Sequence, residues 1–172
     1  VRDVPITEPD PSATKRALYR VADPYLIFWH RFVAPLAHAG LSITADPAAL
    51  WTRRIQPMLD EHLGGVFEDV ARQTVARGGI LPFEVAQVGR WWTDRQEIDV
   101  VARSLDGDVF VGECKWGTVD RHDVARLRAA AETLSRRSGG AKSMTYGVFS
   151  GGGLGDDDVR AAVARGELLS FD

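Results

Sequence analysis

The sequence predicts an α/β fold: a mixed β-sheet flanked by helices, preceded by an N-terminal hairpin and an α-helical segment. Three observations predict it. From residue 65 onward, runs with helical spacing alternate with β-branched, strand-like runs. Two of those runs, 97–103 and 108–116, alternate apolar with polar residues on either side of Asp106-Gly107, the signature of a hairpin. Finally, 172 residues with 45% apolar content suffice for one good core with a small appendage.

Taken in order, residues 2–7 and 16–21 alternate in strand fashion around a Pro/Asp/Ser-rich turn at 8–14, which predicts a hairpin over 1–22. Asp23-Pro24 is a helix cap followed by proline at the first helical position. Tyr25, Leu26, Phe28, Trp29, Phe32 and Val33 then form an aromatic stripe expected to end near Pro35. Core or domain packing explains that stripe better than a ligand box does. Tyr25, Trp29 and Phe32 are equally suited to facing another domain. A second helix begins at Asp46-Pro47, breaks at Pro57 and continues to Gly64-Gly65, so 23–64 reads as a helical segment packing on a core at 65–172.

That core opens with a helix at 65–77 whose apolar face is Val66, Phe67, Val70, Ala71, Thr74 and Val75, with Glu68 beside it and Gly78-Gly79 as its stop. Residues 80–90 read as the first strand, running into Trp91-Trp92. These tryptophans are expected to close the core or a domain interface, base stacking being the alternative. After the hairpin, 119–137 is a helix buried along Val124, Leu127, Ala130, Ala131 and Leu134. A strand at 143–150, a short helix at 159–165 capped by Asp156-Asp157-Asp158, and a last strand at 167–171 complete the chain.

The register of the hairpin decides whether its polar residues converge. A two-residue loop would put Asp99 opposite Cys114 and split the acids between two faces. A three-residue loop, Leu105-Asp106-Gly107, pairs Ser104 with Asp108 and puts Gly107 at the left-handed third position. Asp99 then faces Glu113, and Glu97 faces Lys115. Ile98, Val100 and Ala102 share the other face with Phe110, Gly112 and Cys114. The second register is preferred because it leaves the apolar face clean.

Two carboxylates about 5 Å apart across a strand pair make a hard-oxygen site suited to Mg²⁺ or Mn²⁺. A lysine two positions after the second acid points the same way, to hold or activate a water. That pattern fits metal-assisted phosphodiester hydrolysis. Solvated cross-strand acid and acid–lysine pairs are its plain alternative. Glu97 is expected to hold Lys115 by an ion pair. On the following helix, Arg126 or Arg128 is a candidate for steering phosphate, against a reading as solvated charges near a helix C-terminus.

Asp99 followed by Glu113-Cys114-Lys115 resembles the Asp…(Asp/Glu)-x-Lys motif of the PD-(D/E)XK nuclease-like superfamily. Within it, GRWW, EIDVVA and GECKW, together with YRVADPYLIFWHRFVAP at 19–35, resemble the C-terminal domain of archaeal-type ATPases. The resemblance implies a restriction-endonuclease-like core with Asp99, Glu113 and Lys115 as catalytic residues. It implies Glu68 as an auxiliary metal ligand, with Glu61 and Asp69 as weaker candidates and a solvated helix acid as the competing explanation. It also implies that the hairpin at 1–22 is the wing of a winged-helix domain, and that the parent protein carries an ATPase. This chain has no G-x-x-x-x-G-K-[ST] phosphate loop of its own, and is expected to be a piece of a longer protein.

Bulk properties narrow the classes. No apolar run reaches the ~18–20 residues that span a bilayer, and no signal peptide is evident, so membrane partners are not expected. A single cysteine, Cys114, rules out an internal disulfide and suits the cytoplasm; its place on the apolar face makes it core rather than nucleophile. His30, His38, His62 and His122 show no zinc spacing. The net charge of −3 weighs against avid non-specific nucleic-acid binding. The leading expectation is a Mg²⁺- or Mn²⁺-dependent phosphodiesterase acting on DNA. The alternatives are a non-catalytic module that binds nucleic acid or docks partners for its ATPase, and a dimerisation domain built on the Trp and Phe surfaces. The sequence leaves the oligomeric state open.

Overall fold

The computed structural model describes residues 1–41 and 45–171. The chain forms two compact units, Val1–Asp3 with Leu18–Val66, and Val4–Ala17 with Phe67–Asp172.

In the first unit, β1 (Arg2–Asp3) pairs antiparallel with β2 (Leu18–Tyr19). The strands are shorter than the alternation suggests, because the chain between them belongs to the other unit. There Ile6 donates its backbone N–H to the Arg90 carbonyl at 2.9 Å and is buried in the core.

The Asp23 carboxylate caps α1 (Pro24–Phe28) by accepting from the Tyr25 and Leu26 N–H groups. Contrary to expectation, Pro35 does not end this helix. A π-helical turn at 29–33 leads into α2 (Ala34–His38), so the proline falls in the first turn of a new segment, where its missing N–H breaks no bond. Of the aromatic stripe, Phe32 is buried, edge-on to His62, while Tyr25 and Trp29 remain exposed.

The helix α3 (Pro47–Leu50) is capped by Asp46; π and 3₁₀ turns follow, the latter taking up Pro57. Then α4 (Leu59–Arg77) runs unbroken through Gly64 and Gly65, where the sequence suggests one helix stopping and another starting. Each glycine costs about 1 kcal/mol relative to alanine. The packing of Ala71 and Val75 further along the helix outweighs that.

The second unit is built on a five-stranded mixed sheet in the order β3 (Gln87–Trp92), β4 (Glu97–Arg103), β5 (Asp108–Lys115), β6 (Ser143–Ser150), β7 (Leu169–Phe171). β3, β4 and β5 are antiparallel neighbours; β5, β6 and β7 run parallel. Parallel neighbours need crossovers, supplied here by α5 (Arg121–Arg137) and α6 (Asp157–Ala164). Helices cover both faces. On one, Ala71 and Val75 of α4 meet Val100, Ala102, Phe110 and Phe149. On the other, Leu127, Ala130, Ala131 and Leu134 of α5 meet Trp91, Val101, Val109 and Val111.

Two local expectations change. Residues 80–85 form no strand; Ile80, Leu81, Phe83 and Val85 pack as a covering loop against the α4 side of the core. Val70 is exposed, so the buried stripe of α4 narrows to Ala71 and Val75, with Phe67 partly buried against the same cluster.

The β4–β5 register is the three-residue-loop one: Arg103 pairs with Val109 and Val100 with Gly112, Ser104 donates its N–H to the Asp108 carbonyl at 2.9 Å, and Gly107 has φ +92°. The other side of β4 is irregular. Gly89 pairs with Val101 but Trp91 with Ile98, so Asp99 and Val100 together stand opposite Arg90 as a β-bulge. The extra residue turns Ile98 over to the α5 face beside Trp91, away from the Val100 face on which alternation places it. Among the described residues, no helix is long and apolar enough to cross a membrane.

Candidate functional site

The β4–β5 ladder stops at Val100 and Gly112, one step short of the two acids. Beyond that point the bulge turns Asp99 so that its Oδ2 accepts the Cys114 N–H at 2.8 Å. The Asp99 carbonyl accepts from Arg72 of α4 at 2.7 Å, and the same guanidinium donates to Asp69 at 2.6 Å and reaches Glu68 at 3.5 Å. One arginine thus ties α4 to the bulge and sets Glu68 at the site. The result is a cleft of about 430 Å³ lined by Glu68, Glu97, Asp99 and Glu113, with Arg95 and Gln96 from the β3–β4 turn and Arg126 from α5.

The acids are under electrostatic strain. Burial, then the charge of Glu68, pushes the Asp99 carboxyl up to about 6, against the Cys114 N–H, which favours the ionised form. Burial and the neighbouring Asp99 push Glu113 up to about 8, with Arg126 opposing. Both groups therefore hold protons more tightly than ordinary carboxylates, and for the same reason would welcome another cation. Burial pushes the Cys114 thiol well above its usual range, so it has little nucleophilic character.

The remaining candidates distribute unevenly. Lys115 does not pair with Glu97: its Nζ donates to Asp123 Oδ2 at 2.5 Å, while Glu97, 66% exposed, pairs with Arg90 at 3.4 Å. Past Val100 the strands no longer pair, so the cross-strand neighbour that register alone assigns to Lys115 is lost. Arg126 bridges Glu113 Oε1 at 3.2 Å and Asp123 Oδ1 at 2.7 Å. Arg128, two positions along α5, lies over the Tyr146 ring and near Glu167, away from the acids. Glu61 lies in the first unit, paired with Arg31, and Asp69 is occupied by Arg72. Trp91 is 1% exposed in the core; Trp92 is half-buried against the Arg90 guanidinium.

Sequence reasoning passed over Asp123, Arg72 and Arg95. Asp123 carried a readable signal: Asp120-x-x-Asp123 is a capping box at the start of α5. Burial would raise the Asp123 pKa, but the hydrogen bonds from Lys115 and the Asp120 N–H outweigh it and hold the carboxyl below the usual range.

Could the site hold a divalent cation? Its donors are hard carboxylate oxygens, and Mg²⁺ typically takes only one or two carboxylates and keeps several waters. The Asp99 and Glu113 pair and the open cleft fit that demand. Among the described residues, no three His, Cys, Asp or Glu side chains come together as a ready-made ligand cluster, so Glu68 shares the cleft without converging on the pair.

Comparison with known proteins adds family membership. The uncharacterized protein MJECL04 of Methanocaldococcus jannaschii is 31% identical over 130 residues, which covers 73% of this chain and 28% of that protein. The chain thus spans little more than a quarter of that relative's length. Among solved structures, a repair endonuclease from Pyrococcus abyssi aligns with a TM-score of 0.41 at 15% identity, over 63% of this chain and 44% of that one. At that score the likeness carries no argument about activity. Residues 29–127, more than half of the chain and inclusive of every acid in the cleft, match a family model (DUF234), and the chain belongs to that family, described as archaea bacterial proteins of unknown function.

Proposed function

We propose that this chain is a Mg²⁺- or Mn²⁺-dependent phosphodiesterase domain of the PD-(D/E)XK nuclease-like kind, acting on DNA within a longer, ATPase-containing protein. The observation that carries the reading is the juxtaposition of buried Asp99 and largely buried Glu113 where β4 and β5 stop pairing, with burial and neighbouring acids pushing both carboxyls up. Asp99 and Glu113 would hold the cation, with Glu68 at the cleft wall as an auxiliary group reaching it through a water. The bound ion would supply Lewis-acid polarisation of the phosphodiester and a water of lowered pKa. Lys115, two residues beyond Glu113 on β5, would supply positive charge for the developing phosphorane and orient the attacking water. Arg126, 70% exposed at the rim, can exchange Glu113 for a phosphate oxygen as DNA arrives.

Calorimetric titration with Mn²⁺ tests this, comparing the chain with Asp99→Ala and Glu113→Ala. Binding that disappears in both variants supports the reading and leads to cleavage assays on linear, nicked and branched DNA. An unmutated chain that binds no Mn²⁺ at millimolar concentration rejects it.

One observation favours a second reading, a non-catalytic module that binds nucleic acid or docks partners for the ATPase. Lys115 and Arg126 already have Asp123 and Glu113 as partners without any ligand. In that case Asp99→Ala leaves DNA or partner binding unchanged.

A further inference from the structure

Lysine carries its charge on a flexible four-carbon stem with rotating donors, so it serves one spot only when something holds it there. The expected holder, Glu97, is solvent-exposed and engaged with Arg90. Asp123 is built differently. Its side chain is 6% exposed and stands in the first turn of α5, locked by a reciprocal capping box with Asp120. Oδ2 accepts from the Asp120 N–H at 3.0 Å as well as from Lys115 at 2.5 Å, so the oxygen that meets the ammonium is fixed by backbone. Oδ1 accepts from Arg126, which blocks rotation of the carboxylate. The charge also sits where a helix N-terminus favours an anion.

We propose that Asp123 is a positioning residue, the buried carboxylate that fixes the Lys115 ammonium at the start of α5, where Arg126 links Asp123 to Glu113. It acts through Lys115 and is not itself a cation ligand. Only the last step, the use of the positioned ammonium on a phosphodiester, rests on the function proposed above; the hold on Lys115 is measurable without turnover.

The chain has three lysines, Lys15, Lys115 and Lys142, which makes selective acylation readable. The unmodified chain and Asp123→Asn are treated with a water-soluble acetylating ester, and each site is followed by peptide mass spectrometry. The expected result is Lys115 acylation faster in the variant by about three- to fivefold, the scale of a partly exposed ion pair, with Lys15 and Lys142 unchanged. An unchanged Lys115 rate overturns the proposal. So does a parallel rise at all three lysines, which makes Asp123 a folding residue instead. If the chain cleaves DNA, Asp123→Asn lowers kcat with KM preserved; a change confined to KM overturns the positioning role. A chain that neither binds Mn²⁺ nor cleaves removes the phosphodiesterase reading, while the labelling still decides whether Asp123 holds Lys115.

Discussion

Replacing Asp99 with asparagine removes one charge from the cleft and keeps an oxygen to accept the Cys114 N–H. In the folded chain the Asp99 carboxyl is raised from 3.8 to about 6. At ~1.4 kcal/mol per pKa unit, ionising it in place costs about 3 kcal/mol more than ionising it in the unfolded chain. The sign follows from proton binding. Between about pH 4 and 6 the folded state keeps a proton that the unfolded state has lost, so stability falls as pH rises through that window. Glu113 extends the fall toward its own value of about 8. Asp99→Asn is therefore expected to match the unmodified chain near pH 4 and to exceed it near pH 8 by up to ~3 kcal/mol. For a chain of this size that is about 6–12 °C in Tm. Urea unfolding at stepped pH, in chelator, measures it by tryptophan fluorescence and circular dichroism together. With saturating Mn²⁺ the order should reverse, since only the unmodified chain gains a bound ion. Stability curves that run parallel across pH, or a variant less stable near pH 8, would refute the electrostatic account of the cleft.

Two further substitutions probe neighbouring claims. Arg126→Gln removes the cation that shares Glu113, so Mn²⁺ affinity measured by calorimetry should rise about two- to fivefold, the scale of a partly exposed pair; weaker binding would make Arg126 a support of the cation site instead of a competitor. Gly147→Ala places a methyl group 2.6 Å from Cε2 and 2.7 Å from Cζ of Phe110, whose ring is hemmed edge-on by Phe149 and Phe171. It should cost about 1–3 kcal/mol in urea unfolding, and an unchanged midpoint would mean the ring is free to move aside.

Much of the fold was legible because it is local. Alternation and a glycine able to adopt positive φ specified the β4–β5 register, the same turn chemistry that the structure shows at Gly107. The stripe Val124, Leu127, Ala130, Ala131, Leu134 needed only helical spacing to be recognised as buried. The helix breakers misled: Gly64-Gly65 lies inside α4, and Pro35 falls in the first turn of a segment that follows a π turn. Residues 80–85 carry strand-like side chains, yet they serve as a cover and form no ladder.

The sequence by itself determined the order of helices and strands, the hairpin register, and that Asp99, Glu113 and Lys115 would come from adjacent strands. These depend on period, turn type and caps, all written within a few residues. Only the tertiary structure decided what the site residues do to one another. The bulge at Asp99 and Val100 exists because β4 pairs with β3 on one side and β5 on the other, and no pattern within β4 encodes two against one. Lys115 found its counter-charge on α5 instead of across the hairpin because the strands part at the acids and a capped, buried carboxylate stands within reach. Partners distant in sequence are chosen by packing, and packing is a property of the assembled sheet and helices.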